Sequence, residues 1–362
     1  MRKNTSSIKN SNILIASGGT GGHIFPALSI ANELKGLGSN IYWVSSKSKI
    51  DKKVKKDARK VLFTNMRGIR GVGFIQKVQM LFKLFGDIIL SCKFILKHKI
   101  DGVIAFGGYM SFAPSIAARL LRKPVLIHEQ NAKLGLSNYY LSFLATAIMT
   151  AYNITVKRKV IVYYVGMPIR DDIRKLYIKE KEFNKNRLNV LVLGGSQGAK
   201  KINEIVPKAL SILPEDLNIS VFHQSGDLHL NQTIEIYESL GVKAKIKGFV
   251  DDMADVYSWA DIVICRSGAG TVFEVSAVGV PAIFIPYPYA ADNHQYENII
   301  PLVKNGSCKY LNDNNLDEQT LYNSIVELVK DPKKLKYCSN KLKDFYKNSY
   351  TTEITRIIEK YI

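Results

Sequence analysis

The sequence predicts an α/β protein made of two Rossmann-like domains, whose parallel sheets face each other across a cleft. Three observations lead to this prediction. Strand and helix signals alternate along both halves of the chain, which is typical of parallel, doubly wound sheets. A glycine-rich turn follows the first strand signal of each half. The chain has 362 residues, more than one hydrophobic core usually organises, so two domains are expected.

The first domain is predicted over residues 1–165. Its first strand signal is followed by helical spacing at 25–37, and a second apolar, helix-like run lies at 111–121. In such a sheet, ligands bind at the carboxyl ends of the strands. The strand signals of this half lie at 13–17, 41–46, 102–108 and 124–130.

The second domain is predicted over 187–345, after a charged and strand-poor segment at 166–186 that is interpreted as a linker. Residues 335–362 have a helical pattern, and 346–362 are predicted as a helix that packs back on the first domain. The strand signals of this half begin at residue 188 and continue at 219–226, 243–250, 261–268 and 281–287.

Composition limits the class of protein. Lys and Arg total 51 against 31 Asp and Glu, a net charge of +20. Such a charge favours nucleic acid, acidic lipid headgroups or phosphorylated substrates, or it reflects a Lys-rich surface with no single partner. The four cysteines form no C-x-x-C pair, which argues against a disulfide framework or a zinc site, so no metal or cofactor is expected. The apolar runs are too short for a signal peptide or a spanning helix, which favours a cytoplasmic protein.

Three glycine turns, at 18–22, 194–198 and 268–270, each follow a strand signal and open a helix. Glycine allows close backbone approach, and a helix N-terminus offers free N–H groups to an anion. The alternative is that these glycines only make room for tight packing. The first turn is not G-x-G-x-x-G, because the third glycine position is occupied by Ile24, and no P-loop pattern occurs. A nicotinamide dinucleotide enzyme and a P-loop phosphotransferase are therefore disfavoured.

The surroundings of these turns contain candidate ligand-binding side chains. Glu274 lies one turn into the helix after the third glycine turn, where a carboxylate suits a ribose diol or merely complements the helix dipole. The segment 286–298 is rich in amide and carboxylate groups, which suit a sugar, although a solvated loop is the alternative. His23 begins the first helix and Glu129 ends a buried strand, and either residue is a candidate general base.

The segment 67–99 combines apolar residues at helical spacing with lysines and arginines. Such a surface suits contact with an anionic bilayer, while an ordinary core helix is the alternative, which is favoured for 88–96. The basic run at 47–60 would add to the contact. The predicted membrane patch consists of Phe74, Ile75, Val78, Leu81, Phe82 and Phe85.

Several short motifs occur in a characteristic order: GGTGGHIFPA, GGYMSFAP, HEQNA, GMPIR, GGSQGA, FVDDMADVYSWAD, CRSGAGTVFE and DNHQYEN. Together, from residue 13 to 300, they resemble the MurG-type glycosyltransferases of peptidoglycan synthesis. The resemblance implies the GT-B fold and an inverting transfer of N-acetylglucosamine from UDP-GlcNAc to the muramoyl 4-hydroxyl of lipid I, giving lipid II. It implies no metal, no nucleic acid, and a peripheral enzyme at the cytoplasmic face of the inner membrane, where other cell-wall synthesis proteins are further candidate partners.

The resemblance also implies roles for individual residues. Val250 would meet the uracil, Glu274 the ribose hydroxyls, and Asn131 and Gln295 the donor sugar. Arg170 would add positive charge near the donor diphosphate. The remaining implied contacts are Ser196, Ala269, Gly270 and Thr271 for the donor diphosphate, and Thr20, Gly21 and Gly22 for the acceptor diphosphate.

Two positions depart from the family pattern. Gly270 stands where family members often have a bulky aliphatic residue, and His294 precedes Gln295 where two glutamines are usual. Two other functions stay open. One is a GT-B enzyme with a different acceptor, such as a diacylglycerol or a soluble glycoside. The other is a basic nucleic-acid-binding protein, although no recognition-helix or aromatic RNA-binding pattern is found.

Overall fold

The computed structural model describes residues 8–18, 21–46, 58–64, 74–184, 187–195, 197–214, 217–346 and 350–362, with the backbone alone at 46, 74–78 and 350–352. The chain divides into two compact units. The first unit is formed by residues 1–168 and 349–362, and the second by residues 169–348. Each unit is an α/β domain with its own parallel sheet.

The sheet of the first unit has seven strands among the described residues, in the order β3-β2-β1-β4-β5-β6-β7. All neighbours pair in parallel. The strand order reverses between β1 and β4, which is the point where ligands bind in doubly wound sheets. The strands are β1 Asn12–Ala16, β2 Asn40–Ser46, β3 Val61–Thr64, β4 Gly102–Ala105, β5 Val125–Glu129, β6 Ala147–Thr150 and β7 Ile161–Tyr164.

Helices cover both faces of this sheet, and the alternate side chains of β1 show why. Ile13 and Ile15 belong to one buried cluster, while Leu14 belongs to another on the opposite face. A strand buried on both sides is apolar throughout, as parallel strands usually are. The helices are α1 Gly21–Gly36, α2 Phe74–Lys97, α3 Phe112–Leu120 and α4 Leu136–Leu141.

A helix from the C-terminal end of the chain completes the first unit. This helix, which we call α13, spans Tyr350–Tyr361 and packs on α1. Ile354, Ile357 and Ile358 are buried in the same apolar cluster as Ile13. The first unit is therefore assembled from two segments that are far apart in sequence.

The sheet of the second unit has six strands among the described residues, in the order β10-β9-β8-β11-β12-β13. These strands also pair in parallel, and the order reverses between β8 and β11. The strands are β8 Arg187–Leu193, β9 Asn218–Gln224, β10 Ala244–Lys247, β11 Ile262–Cys265, β12 Ala282–Phe284 and β13 Cys308–Tyr310.

The helices of the second unit again lie on both sides of its sheet. The side chains of Val190 and Val192 on β8 pack in a buried cluster of this unit, together with Ile202 and Val206 of the following helix. The helices are α5 Asp171–Arg174, α6 Lys200–Ser211, α7 Leu230–Ser239, α8 Met253–Trp259, α9 Ala269–Val278, α10 His294–Lys304, α11 Glu318–Val329 and α12 Pro332–Phe345.

The structure differs from the sequence-based expectations in two respects. Strands β3, β6, β7 and β13 were not predicted; each has only three or four residues. The equally short β4, β11 and β12 were predicted because a glycine or proline turn follows their apolar runs. The segment interpreted as a linker also contains α5, and the buried residues Ile169, Ile173 and Leu176 bind it into the second unit.

Candidate active site

The first glycine turn, after β1, is tightly packed at its start. A Cβ atom at Gly18 would overlap the Met110 side chain, and one at Gly108 would lie 2.8 Å from the Gly18 carbonyl oxygen. A side chain at Gly18 would meet the Met110 side chain and one at Gly108 would meet backbone, so packing explains both glycines. Gly21 and Gly22 begin α1, whose first N–H groups have no partner within the helix.

The second glycine turn, after β8, is also closely packed. A Cβ atom at Gly194 would lie 2.8 Å from the Ala199 nitrogen, and one at Gly198 would overlap the Ser225 carbonyl oxygen. Around Gly195, with φ at 79°, no described heavy atom would lie within 4 Å of an added Cβ atom. This turn therefore combines two packing glycines with one open position.

The third glycine turn, before α9, is open. No described atom lies within 4 Å of a Cβ built at Gly268 or Gly270, so packing does not explain these glycines. Helix α9 begins at Ala269, and its first backbone N–H groups point out of the positive end of the helix. The Ser267 hydroxyl beside them is buried and has no hydrogen-bond partner among the described residues. The arrangement can receive an anion.

The second and third turns share one edge of the sheet. Leu193 at the end of β8 pairs with Cys265 at the end of β11, and neighbouring strands lie about 4.8 Å apart. Both turns therefore follow the two strands at which the order of the sheet reverses, where a ligand is expected in this class of fold.

Glu274 on α9 forms an ion pair with Arg170. Its Oε1 accepts from Arg170 Nε at 3.2 Å and Nη2 at 3.1 Å, and its Oε2 accepts from the Tyr257 hydroxyl at 3.2 Å. Burial raises the pKa of the Glu274 carboxyl, and the Arg170 guanidinium opposes that shift. Arg170, expected near a diphosphate, thus binds the residue expected at the ribose.

The polar segment before α10 is organised by hydrogen bonds to backbone. Gln295 Oε1 accepts from the Tyr287 nitrogen at 2.9 Å, and His294 Nδ1 donates to the Ala291 carbonyl at 2.7 Å. Asn298 Nδ2 donates to the Ser267 carbonyl at 3.1 Å, so this segment is tied to the third glycine turn. It is an ordered structure and not a solvated loop.

Val250 follows β10 in the second unit and is buried. The remaining predicted donor contact that the structure describes, Asn131, lies in the first unit, after β5. Ser196 and Thr20 lie outside the described residues, as do most of the basic run 47–60 and Arg67 and Arg70 of the predicted membrane segment.

Glu129, one candidate base, is occupied by structural hydrogen bonds. Its Oε1 accepts from the Asn131 nitrogen at 2.9 Å and from Asn131 Nδ2 at 3.2 Å. Its Oε2 accepts from the Gly135 nitrogen at 2.9 Å and from Asn138 Nδ2 at 2.8 Å. A carboxylate has about four acceptor sites, and the four donors use them. These hydrogen bonds shape the turn after β5, and Glu129 as the base stays a prediction.

His23, the other candidate base, lies in the first turn of α1 and is partly exposed. Its Nδ1 lies 2.8 Å from Gln130 Oε1, and a Cβ atom added at Gly107 would lie 3.3 Å from its Cε1, so the backbone at Gly107 passes close to the ring. Gln130 itself is buried beside His128. Gln130, His128 and Tyr257 were not among the predicted site residues. The available signal was their place in the chain: His128 lies within β5, Gln130 directly after it, and Tyr257 in α8.

Helix α2 exposes a row of large apolar side chains. Leu81 is 65% exposed, Phe82 76% and Phe85 66%. From residue 88 onward one face of the helix packs on the core. Ile95 is buried, and Ile88, Cys92 and Phe94 pack against the same cluster, while Ile89, Leu90 and Leu96 are exposed on the other face. The expectation of a core helix over 88–96 is therefore confirmed for one face. The side chains of Phe74, Ile75 and Val78 lie outside the described part of the structure.

No three His, Cys, Asp or Glu side chains in the described ranges are grouped so that they could hold a metal ion. Within the same part of the chain, no helix is both long and apolar enough to cross a membrane.

Comparison with known proteins defines the class. The model of the glycosyltransferase family 28 N-terminal domain matches residues 13–150, and the model of the family 28 C-terminal domain matches residues 189–352. These matches, on two units of Rossmann-like topology, define a glycosyltransferase of family 28.

Individual relatives narrow the class to one family. A protein of Francisella tularensis subsp. mediasiatica, named UDP-N-acetylglucosamine--N-acetylmuramyl-(pentapeptide) pyrophosphoryl-undecaprenol N-acetylglucosamine transferase, is 39% identical, covering 98% of this chain and 99% of its own. A protein of Neisseria gonorrhoeae with the same name is 40% identical over 79% of this chain and 81% of its own. The crystal structure of Acinetobacter baumannii MurG aligns with a TM-score of 0.78 and 30% identity, covering 97% and 99% of the two chains. The chain belongs to the MurG family.

Proposed function

We propose that this enzyme transfers N-acetylglucosamine from UDP-GlcNAc to the muramoyl 4-hydroxyl of lipid I, undecaprenyl-diphospho-N-acetylmuramoyl-pentapeptide, and releases UDP. The product is lipid II for peptidoglycan synthesis, formed with inversion at the anomeric carbon. The observation that carries the proposal is the 39% identity, over 98% of the chain, to a relative whose name states this transfer.

The donor diphosphate is proposed to bind at the N-terminus of α9. The open space at Gly268 and Gly270, the free N–H groups of the first turn and the unpartnered Ser267 hydroxyl among the described residues support this assignment. These groups are already in position, so they stabilise the negative charge of the leaving UDP without reorganisation. Ser196 would add a contact from the second turn.

The remaining donor contacts are proposed around this point. Glu274 accepts from the ribose hydroxyls while Arg170 and Tyr257 hold its carboxylate. Arg170 donates through Nε and Nη2, and Tyr257 through its hydroxyl. These three donor groups leave about one acceptor site of the carboxylate for the ligand. The Val250 backbone contacts the uracil. Gln295 and Asn131 contact the sugar; Gln295 uses its oxygen for the Tyr287 nitrogen, which leaves its amide nitrogen to donate.

The acceptor is proposed to bind at the first unit. Its diphosphate lies against Thr20, Gly21 and Gly22 at the N-terminus of α1, and His23 takes the proton of the 4-hydroxyl. As the acceptor oxygen bonds to the anomeric carbon, the bond from that carbon to UDP breaks, and the proton passes to the imidazole. General-base catalysis of this kind contributes about 10²–10⁴-fold to a rate.

No metal is proposed to take part, because the helix N-terminus supplies the positive potential that the leaving UDP needs. We expect the initial rate to stay unchanged when the enzyme is dialysed against EDTA and assayed in EDTA. Loss of activity with EDTA, restored by Mg²⁺ or Mn²⁺, would contradict this expectation.

The enzyme is proposed to work as a peripheral protein at the cytoplasmic face of the inner membrane. Leu81, Phe82 and Phe85 of α2 are exposed beside Lys83, and apolar side chains among cations suit an anionic bilayer. A lipid-linked acceptor requires such contact. Other cell-wall synthesis proteins are proposed as further partners, and nucleic acid is not.

The proposed function is tested with radiolabelled UDP-GlcNAc and a lipid I analogue, by measuring UDP release and labelled product. We expect one UDP for each disaccharide-linked product. The same assay with diacylglycerol or a soluble glycoside as acceptor tests the alternative GT-B function, and salt-dependent retention on DNA compared with UDP tests nucleic-acid binding. Transfer to one of the other acceptors but not to the lipid I analogue would overturn the proposal.

A further inference from the structure

A chain of hydrogen bonds runs from His23 into the interior of the first unit. His23 Nδ1 lies 2.8 Å from Gln130 Oε1. Gln130 Nε2 lies 2.8 Å from the His128 carbonyl oxygen and 3.2 Å from His128 Nδ1. His128 Nε2 lies 3.1 Å from the Gly166 carbonyl oxygen. The proposed catalytic role of His23 does not by itself require these partners.

The backbone carbonyls of His128 and Gly166 determine which atom donates in each of these hydrogen bonds. A carbonyl oxygen can only accept, so the Gln130 atom facing the His128 carbonyl is the NH₂ group, and the His128 atom facing Gly166 is an N–H. His128 Nδ1 is then the bare nitrogen, which accepts from Gln130. Burial lowers the pKa of His128 to about 4, which agrees with a neutral ring.

The orientation of Gln130 in turn determines the tautomer of His23. Gln130 Oε1 is an acceptor, so His23 Nδ1 must carry a proton. A neutral imidazole has one N–H and one bare nitrogen. His23 Nε2 is therefore the bare nitrogen, with its lone pair on the side of the ring that faces away from Gln130.

We propose that Gln130 is a positioning residue for the transfer reaction: with His128 it holds His23 in the tautomer whose Nε2 can take the proton of the acceptor hydroxyl. This inference rests on the proposed function. When the acceptor oxygen attacks, its proton moves to Nε2, and the Nδ1–H bond to Gln130 is kept in both protonation states. The chain therefore needs no rearrangement during the step, as electrostatic preorganisation requires.

The direct test is the tautomer itself. We would label the full-length protein with ¹⁵N-histidine and record long-range ¹H–¹⁵N spectra, with His23→Gln identifying the His23 signals. We expect unmodified protein near neutral pH to show a protonated Nδ1 and a bare Nε2 at His23, and Gln130→Met to lose this preference. Methionine keeps the length of the side chain and removes the acceptor. A bare Nδ1 at His23 in the unmodified protein would overturn this inference and leave the proposed function intact.

The second measurement connects the tautomer to the reaction. In Gln130→Met, we expect kcat to fall at least about tenfold, since a base in the wrong tautomer loses most of its effect even when its position is kept. The KM for UDP-GlcNAc is expected to change little. The urea midpoint should fall, because the His128 carbonyl loses its donor, so kcat is measured without urea, where the variant is folded. Gln232→Met, at an exposed position on α7 of the second unit, is the matched control and should change nothing.

The outcomes separate the two proposals. A changed tautomer with an unchanged kcat in Gln130→Met would overturn the positioning role and leave the proposed function intact. A fall in kcat with an unchanged tautomer would also overturn it, because the loss would then be merely structural. Absence of transfer by the unmodified protein, with the expected tautomer present, would overturn the proposed function and with it the catalytic role of the chain.

Discussion

At the scale of single residues, the two candidate bases of the first unit, Glu129 and His23, differ in their hydrogen bonds. Glu129 accepts four hydrogen bonds from Asn131, Gly135 and Asn138, so its lone pairs are already used. His23 has one hydrogen bond, from Nδ1 to Gln130 Oε1, and in the tautomer we propose its Nε2 is bare. We therefore favour His23 as the base and a structural role for Glu129.

Replacement by glutamine should lower the rate at His23 and the stability at Glu129. We expect His23→Gln to lower kcat by about 10²–10⁴-fold with a nearly unchanged free energy of unfolding. We expect Glu129→Gln to destabilise the protein by about 1–3 kcal/mol, because its NH₂ group must face one of the donors that the carboxylate now satisfies. Steady-state rates and urea unfolding measure the two effects. Near-normal turnover in His23→Gln would remove His23 as the base.

At the scale of elements, α9 has a glycine close to each end, and the two serve different purposes. Gly270 lies in the first turn with open space around it, whereas Gly279 ends the helix with φ at 73°. A Cβ at Gly279 would lie 2.8 Å from both Ser339 Oγ and Lys343 Cε. One glycine is compatible with a side chain and the other is not.

We expect Gly270→Ala to stabilise the second unit by about 0.5–1 kcal/mol, because alanine loses less backbone entropy in a helix. The matched variant Gly279→Ala should destabilise it by more than about 1 kcal/mol, because φ is positive and the site is crowded. Urea unfolding followed by Trp259 fluorescence measures both. A destabilised Gly270→Ala would show that the first turn of α9 is not open.

Helix α2 differs from α9 because its exposed face is apolar. We expect Phe82→Glu combined with Phe85→Glu to reduce the fraction of protein that floats with vesicles containing anionic lipid. The control pair is Ile178→Glu with Leu228→Glu, at positions 80% and 91% exposed in the second unit, which should float like the unmodified protein. Equal flotation of both double variants would argue against the membrane patch.

At the scale of the whole molecule, each unit contains one buried, neutral histidine. His128 lies in the first unit, and His223 in the second accepts from the Tyr237 hydroxyl and donates to Asn203 Oδ1, each at 3.0 Å. Burial lowers the pKa of His128 to about 4 and that of His223 to about 3, from 6.5. Between pH 6.5 and 4 the unfolded chain binds these protons and the folded units do not.

The free energy of unfolding should therefore fall as the pH drops below 6.5, with a slope approaching 1.4 kcal/mol per pH unit and a total of about 3 kcal/mol per histidine by pH 4. Trp43 is buried in the first unit, so in a Trp259→Phe background its fluorescence in urea reports on that unit alone. His128→Gln should flatten the pH dependence, and His223→Gln, in the other unit, should not. An unchanged slope in His128→Gln would contradict the assignment.

The sequence predicted much of the fold and part of the site. Long apolar strands such as β1 and β8, each followed by a glycine turn, were recognisable, whereas the short β7 and β13 were not. At the site, residues and roles were predicted, but the hydrogen bonds between them were not. The bond that joins His23 to Gln130 spans 107 positions of the sequence. Which glycine turns are open and which are packed also depends on neighbours distant in sequence.

The return of α13 to the first unit has a consequence for the order in which the protein is made. Ile354, Ile357 and Ile358 fill the core beneath α1, and Ile362 lies over β4, where a Cβ at Gly102 would come within 2.5 Å of its Cδ1. During synthesis on the ribosome, residues 1–168 emerge long before these side chains. The core of the first unit therefore cannot be completed until residues 349–362, which belong to it, have also been made.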